Sequence, residues 1–160
     1  MKLTFTTQEP AGSLDFESCY EEELQLDPEE KAEILAAPEQ TLCLWMFVDG
    51  ELAGETYGAS PHDLFAAIEE EIEDCDKNDP LAVYCYSTTI LPKFQGMGLA
   101  KILKAYWLGL IKGRGYDSVC GHATTPAMLK INLDFGAQVK AVHSNWYETE
   151  RTAHFYEIKL

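Results

Sequence analysis

The apolar and polar positions of this chain follow two periods, and the switches between them outline its elements. Residues 2–7, 41–48, 51–57, 81–91, 116–122, 138–143 and 154–160 are short runs rich in β-branched and aromatic side chains, and they read as strands. Asp49-Gly50 joins the second run to the third as a hairpin turn, which makes that pair antiparallel. Residues 98–112 instead place Leu99, Ile102, Leu103, Tyr106, Trp107, Leu110 and Ile111 along one helical face, ended by Gly113 and Gly115. A second helix is predicted over 126–135, opened by Pro126 and carrying Met128, Leu129, Ile131 and Leu133. Residues 13–37 read as helix in two pieces, broken near Asp27-Pro28, with Asp27 as the N-cap. Residues 61–76 read as an acidic amphipathic helix, with Leu64, Phe65, Ile68 and Ile72 opposite Glu69, Glu70, Glu71, Glu73 and Asp74. The helix at 98–112 connects strands 81–91 and 116–122 as a crossover, so these two are expected to be parallel.

The junction at residues 90–101 carries the chemistry. A strand closes at Pro92, and Gln95-Gly96-Met97-Gly98-Leu99-Ala100 leads into a helix whose first backbone N–H groups lack intrahelical partners. The helix dipole favours negative charge at that end, and glycines let the backbone approach an anion closely, so phosphate is one ligand that fits. The same glycines also suit a tight strand-to-helix turn. Gly-Lys-Ser/Thr is absent, which excludes a P-loop, and Gly96-x-Gly98-x-x-Lys101 lacks the third small residue of a dinucleotide fingerprint.

Composition narrows the possible partners. The 160 residues suit one domain spanning 1–160, large enough for a core without disulfides or metal. Five cysteines form no Cys-x-x-Cys pair, and His62, His122, His143 and His154 show no ligand spacing, so no metal is expected. The net charge of −15, from 27 acidic and 12 basic side chains, argues against nucleic acid and against an anionic membrane surface. With no long apolar segment, a cytoplasmic protein is expected. The acidity would attract a cationic substrate, although it also serves solubility alone.

Gln95-x-x-Gly98-x-Ala100, after a strand ending Ile90-x-Pro92, resembles the Gln/Arg-x-x-Gly-x-Gly/Ala signature of the GNAT N-acetyltransferase superfamily. The strand at 116–122, the helix at 126–135 and Phe135-Gly136-Ala137 before two strands extend the resemblance over residues 81–142. It implies an α/β (α+β) fold: a mixed, mostly antiparallel sheet with a central splayed parallel pair and helices on both sides. It also implies acetyl-coenzyme A as the acetyl-donating cosubstrate, its pyrophosphate at Gln95, Gly96, Met97, Gly98, Leu99 and Ala100 and its pantetheine along Thr88, Thr89 and Ile90. Thr125 and Asn132 stand where the family often has Asn and a Tyr general acid, and both are expected near the cosubstrate. An amide cannot replace a phenol as proton donor, so Tyr147 or water is the expected source.

His122, at the end of its strand, is either a general base or a hydrogen-bonded structural residue. Tyr84, Tyr86 and Thr88 are expected on one face, lining the site or packing the core. Lys93, Lys101, Lys104 and Lys130 are expected near the phosphates. Glu21-Glu22-Glu23 either meets an amine or is a solvated face. The acidic helix at 61–76 lines the acceptor cleft, covers a sheet edge or contacts a second subunit as a homodimer. The resemblance implies acetyl transfer to a primary amine, with a small cationic acceptor favoured. A noncatalytic module of the same fold, holding a protein partner with or without coenzyme A, is the alternative.

Overall fold

The computed structural model describes residues 1–20, 22–36, 41–61 and 74–160. Nearly all of the acidic helix expected over 61–76, with Glu69, Glu70 and Glu71, lies outside the described residues, as do Glu21 and His62. Among the described residues, seven strands form one sheet: β1 Leu3–Thr6, β2 Thr41–Val48, β3 Glu51–Ala59, β4 Ala82–Ile90, β5 Ser118–Ala123, β6 Gln138–His143 and β7 Ala153–Lys159. Their spatial order is β1-β2-β3-β4-β5-β7-β6. Among the described residues only β4 and β5 run parallel, and every other neighbouring pair is antiparallel. Three described α-helices flank the sheet: α1 Pro28–Leu35, α2 Leu99–Gly113 and α3 Pro126–Asp134. Among the described residues, no helix is long and apolar enough to cross a membrane.

The mixed sheet with its single parallel pair is the architecture that the resemblance implies, and the crossover through α2 sets the direction of that pair. The α2 helix buries Leu99, Leu103, Trp107 and Ile111 against Leu42, Leu44, Met46 and Val83 of the sheet. Tyr106 departs from the expected buried face: it is 58% exposed and stacks on Phe5 of β1 at 4.2 Å. The other sheet face packs Phe16 and Ile34 against Trp45, Tyr57 and Phe155. Within this second layer Lys31 is fully buried, 2.9 Å from Glu55 and 3.1 Å from Glu17, while Trp45 Nε1 donates to Glu55 at 2.7 Å.

The expected break at Asp27-Pro28 is present. Asp27 accepts the Glu29 and Glu30 N–H groups and Glu30 accepts that of Asp27, a reciprocal cap of about 1 kcal/mol. The first piece, however, is not α-helical. Ser13–Cys19 and Glu22–Leu24 are 3₁₀ segments. Ser18 Oγ donates to the Asp15 carbonyl and Glu17 accepts the Leu26 N–H, so side chains take backbone partners that would otherwise go to a longer helix.

One irregularity shapes the centre of the sheet. Tyr57 pairs with Ser87 but Gly58 pairs with Cys85, so Tyr86 is an extra residue on β4, a β-bulge. The bulge exchanges the two faces along β4. Thr88 Oγ1 lies 3.6 Å from Cys85 Sγ on the α2 side, while Ser87 and Thr89 meet Tyr20 on the opposite side. Tyr84, Tyr86 and Thr88 therefore do not share a face, because strict alternation fails across the inserted residue.

Candidate active site

Parallel pairing of β4 with β5 covers only Ala82↔Ser118, Val83↔Val119 and Tyr84↔Cys120. Beyond Tyr84 the strands part: β4 continues to Ile90 along β3, and β5 continues to Ala123 along β7. Between them opens a cleft of about 770 Å³. Leu91 donates its N–H to Ala53 of β3, so the alternating backbone of Ile90 faces the open side, where Gln95 Nε2 holds its carbonyl at 2.9 Å. Beyond Tyr84 that edge of β4 has no strand partner and faces the cleft, with the Ile90 carbonyl engaged by Gln95.

At one mouth of the cleft stands the α2 N-terminus. Gly98 is the N-cap with φ 75°, and no side chain caps the helix. Gly96 has φ 78°, and a Cβ at either glycine would meet no heavy atom within 4 Å. The N–H groups of the first turn are thus open and uncovered, which suits an anion. Gln95, Gly96, Gly98, Leu99 and Ala100 line the cleft together with Thr88, Thr89 and Ile90. Met97, half exposed, is not among the lining residues. Its side chain leaves the loop while its neighbours face inward.

Of the four lysines expected here, Lys101 and Lys130 line the cleft and both bind Asp134, at 2.8 and 3.2 Å. Those contacts, Lys101 first, hold the Asp134 carboxyl below the usual carboxylate range. Lys93 instead pairs with Glu51 at 2.6 Å, and Lys104 is fully buried beneath the sheet. Lys104 is carried inward on the buried α2 face it shares with Trp107, Leu108 and Ile111, three, four and seven positions on.

Thr125 and Asn132 lie on the cleft wall opposite β4. Thr125 Oγ1 is already committed, as it caps α3 by accepting the Met128 N–H at 3.2 Å. Asn132 is 1% exposed and its Oδ1 has no hydrogen-bond partner among the described residues, an acceptor that a donor in the cleft would satisfy. Tyr147 does not line the cleft. It sits in the Trp146–Glu148 turn, 45% exposed and packed edge-on against Trp146, whereas Arg151 of the same loop does line the cleft.

Two phenols that pattern alone did not single out do line it. Tyr20, from the 3₁₀ segment, bonds to Ser87 and Thr89, and burial pushes its hydroxyl well above the usual range. Tyr156, from β7, lies 3.2 Å from Lys104 Nζ, which is also 3.0 Å from Cys85 Sγ. Burial likewise raises the Tyr156 hydroxyl. Strand alternation assigns Tyr156 to a face, but only the interposition of β7 beside β5 brings it to the apex of the cleft.

His122 lies on the wall with both ring nitrogens engaged: Nδ1 is 2.9 Å from Tyr84 Oη and Nε2 is 3.3 Å from Asp74. His143 Nε2 reaches the same Asp74 oxygen at 2.6 Å. Histidines that show no ligand spacing in sequence therefore converge in space. The expectation of dispersed histidines is corrected by the register of β5, β7 and β6, which places His122 and His143 two strands apart over one turn.

No protein-family model matches the sequence, and no curated protein matches it. Solved structures share its fold. The ribosomal-protein-S18-alanine N-acetyltransferase of Escherichia coli is 13% identical with a TM-score of 0.74, over 99% of this chain and 94% of that one. The yncA protein of Salmonella typhimurium, solved with its cofactor acetyl-CoA, is 13% identical with a TM-score of 0.74, over 100% and 95%. A Bacillus subtilis acetyltransferase in complex with CoA is 14% identical with a TM-score of 0.68, over 99% and 98%. The chain has the fold of the GNAT acetyltransferases.

Proposed function

We propose that this protein transfers the acetyl group of acetyl-coenzyme A to a primary amine, by direct attack in a ternary complex. One observation carries the reading: the unpaired edge of β4 leads directly to an uncapped helix N-terminus with open glycines at 96 and 98. An extended amide-bearing arm ending in a pyrophosphate is complementary to that edge and that terminus. The fold shared with proteins solved with CoA and acetyl-CoA supports the same ligand. Thr88, Thr89 and Ile90 are assigned to pantetheine, Gln95 to Ala100 to the pyrophosphate through backbone N–H groups, and the orphaned Asn132 Oδ1 to an amide N–H of the arm.

In the transfer, the amine nitrogen attacks the thioester carbonyl, the C–S bond breaks, and acetyl moves to nitrogen. Backbone N–H groups of β4 stabilise the charge that develops on the carbonyl oxygen. Holding amine and thioester together in the cleft supplies much of the rate. The amine's proton leaves to water. Tyr156, in place of Tyr147, returns a proton to the departing thiolate, and the Lys104 ammonium beside it stabilises the phenolate until solvent restores it. With both ring nitrogens engaged, His122 is read as part of the wall rather than as the base. The charge of −15 favours a small cationic acceptor.

Thiol release from acetyl-coenzyme A, followed across polyamines, aminoglycosides, amino acids and peptides, tests the assignment. Release that depends on an amine is expected. Asn132 in place of a phenol favours a second reading, the noncatalytic module. Tight acetyl-coenzyme A binding with no release for any amine would select that module, and absence of binding would remove the transferase reading.

A further inference from the structure

We propose a divalent transition-metal site, of the zinc class, formed by Asp74, His122 and His143 at the edge of the cleft. Asp74 Oδ2 lies 3.3 Å from His122 Nε2 and 2.6 Å from His143 Nε2, and all three ligand atoms fall within 4.8 Å of one another. The three residues come from separate parts of the chain: a turn before β4, the end of β5 and the end of β6. Their convergence is a product of the fold rather than of local sequence.

The donor set suits the ion. Two imidazoles and one carboxylate match zinc's preference, and three protein ligands leave a fourth position for water. Tetrahedral bonds of about 2.0 Å place neighbouring ligand atoms about 3.3 Å apart. The His122–Asp74 separation already has that value, and the His143–Asp74 contact needs to open by about 0.7 Å. His143 and Asp74 have the freedom to do so, with side chains 27% and 25% exposed, whereas His122 is held at 2%.

The surroundings fix the ring that matters most. Tyr84 Oη contacts His122 Nδ1 at 2.9 Å, the outer-shell partner that orients a ligating imidazole, and Trp146 stacks on the same ring at 4.4 Å. Cys75 Sγ packs 3.8 Å from Cys120 Sγ and ties the turn bearing Asp74 to β5. The strongly acidic chain raises the local concentration of cations. Metal binding here is independent of acetyl transfer, so either reading can fail alone.

The full chain, stripped with a chelator under reducing conditions and then dialysed against Zn²⁺, is expected to retain one zinc per chain. With Co²⁺ it should show the intense visible bands of a four-coordinate N/O site. His143→Ala should lose stoichiometric binding, and Tyr84→Phe should weaken it about 10- to 100-fold. His154→Ala, on the opposite sheet face, serves as the control and should bind as wild type does. Folded wild type that retains no zinc, or His143→Ala that retains as much as wild type, would overturn the site and leave Asp74 as a carboxylate hydrogen-bonded to two imidazoles.

Discussion

Gly58 of β3 and Tyr84 of β4 approach so closely that a Cβ on Gly58 would fall inside van der Waals contact of the Tyr84 carbonyl oxygen, and 3.1 Å from Trp107. That approach lies at the bulge that turns Thr88 to the α2 side. Gly58→Ala should therefore destabilise the fold by about 1–3 kcal/mol, read as a lowered denaturant midpoint. Acetyl-coenzyme A affinity should fall with it, since the same bulge sets the backbone of β4 at the cleft. A variant with wild-type midpoint and affinity would mean that the bulge forms without the glycine.

Gly98 governs the anion end. Glutamate there would both crowd the α2 N-terminus and bring negative charge to it, so Gly98→Glu should abolish acetyl-coenzyme A binding by calorimetry. Because φ is 75°, part of any effect is backbone strain of about 1–2 kcal/mol. Gly98→Asn separates the two causes: asparagine tolerates this conformation and is uncharged, so it should keep most of the stability and more of the affinity. Equal binding by wild type and Gly98→Glu would contradict the pyrophosphate assignment.

Lys31 and Glu55 form an ion pair with both side chains fully buried. Burial pushes the Glu55 carboxyl above its usual value, while Lys31 opposes the shift. A folded value above the unfolded one, about 4.3, means that Glu55 costs stability as pH rises from the unfolded value through the folded one. Removing Lys31 lifts the folded value further and leaves the carboxylate unpaired. Lys31→Met should lose about 3–5 kcal/mol at neutral pH and regain part of it towards about pH 5. Denaturation across a pH series would show a parallel offset from wild type if the pair contributed nothing.

Tyr156→Phe keeps the ring and removes only the hydroxyl at the apex of the cleft. With an accepted amine, kcat should fall about 100-fold while KM for acetyl-coenzyme A stays close to wild type. Unchanged kcat would return the proton-donor role to water.

The hydrophobic pattern and the turn residues by themselves determined most of the scaffold. The Asp49-Gly50 hairpin, the Asp27 cap and the glycine loop before Leu99 are legible because each rests on residues within a turn or two of one another, and the direction of the β4–β5 pair is legible because a helical crossover joins them. The outward course of Met97, the loss of Tyr147 from the cleft, and the burial of Lys104 were not. They depend on where a side chain meets elements distant in sequence. The bulge at Tyr86 was illegible because it is defined by pairing opposite Gly58 on another strand, and one inserted residue exchanges the faces of everything after it. Tyr156 at the apex and the meeting of His122, His143 and Asp74 follow from β7 lying between β5 and β6. Local propensity carries no information about that insertion. Only the packed sheet, in which long-range register is settled by burial on both faces, brings those side chains together.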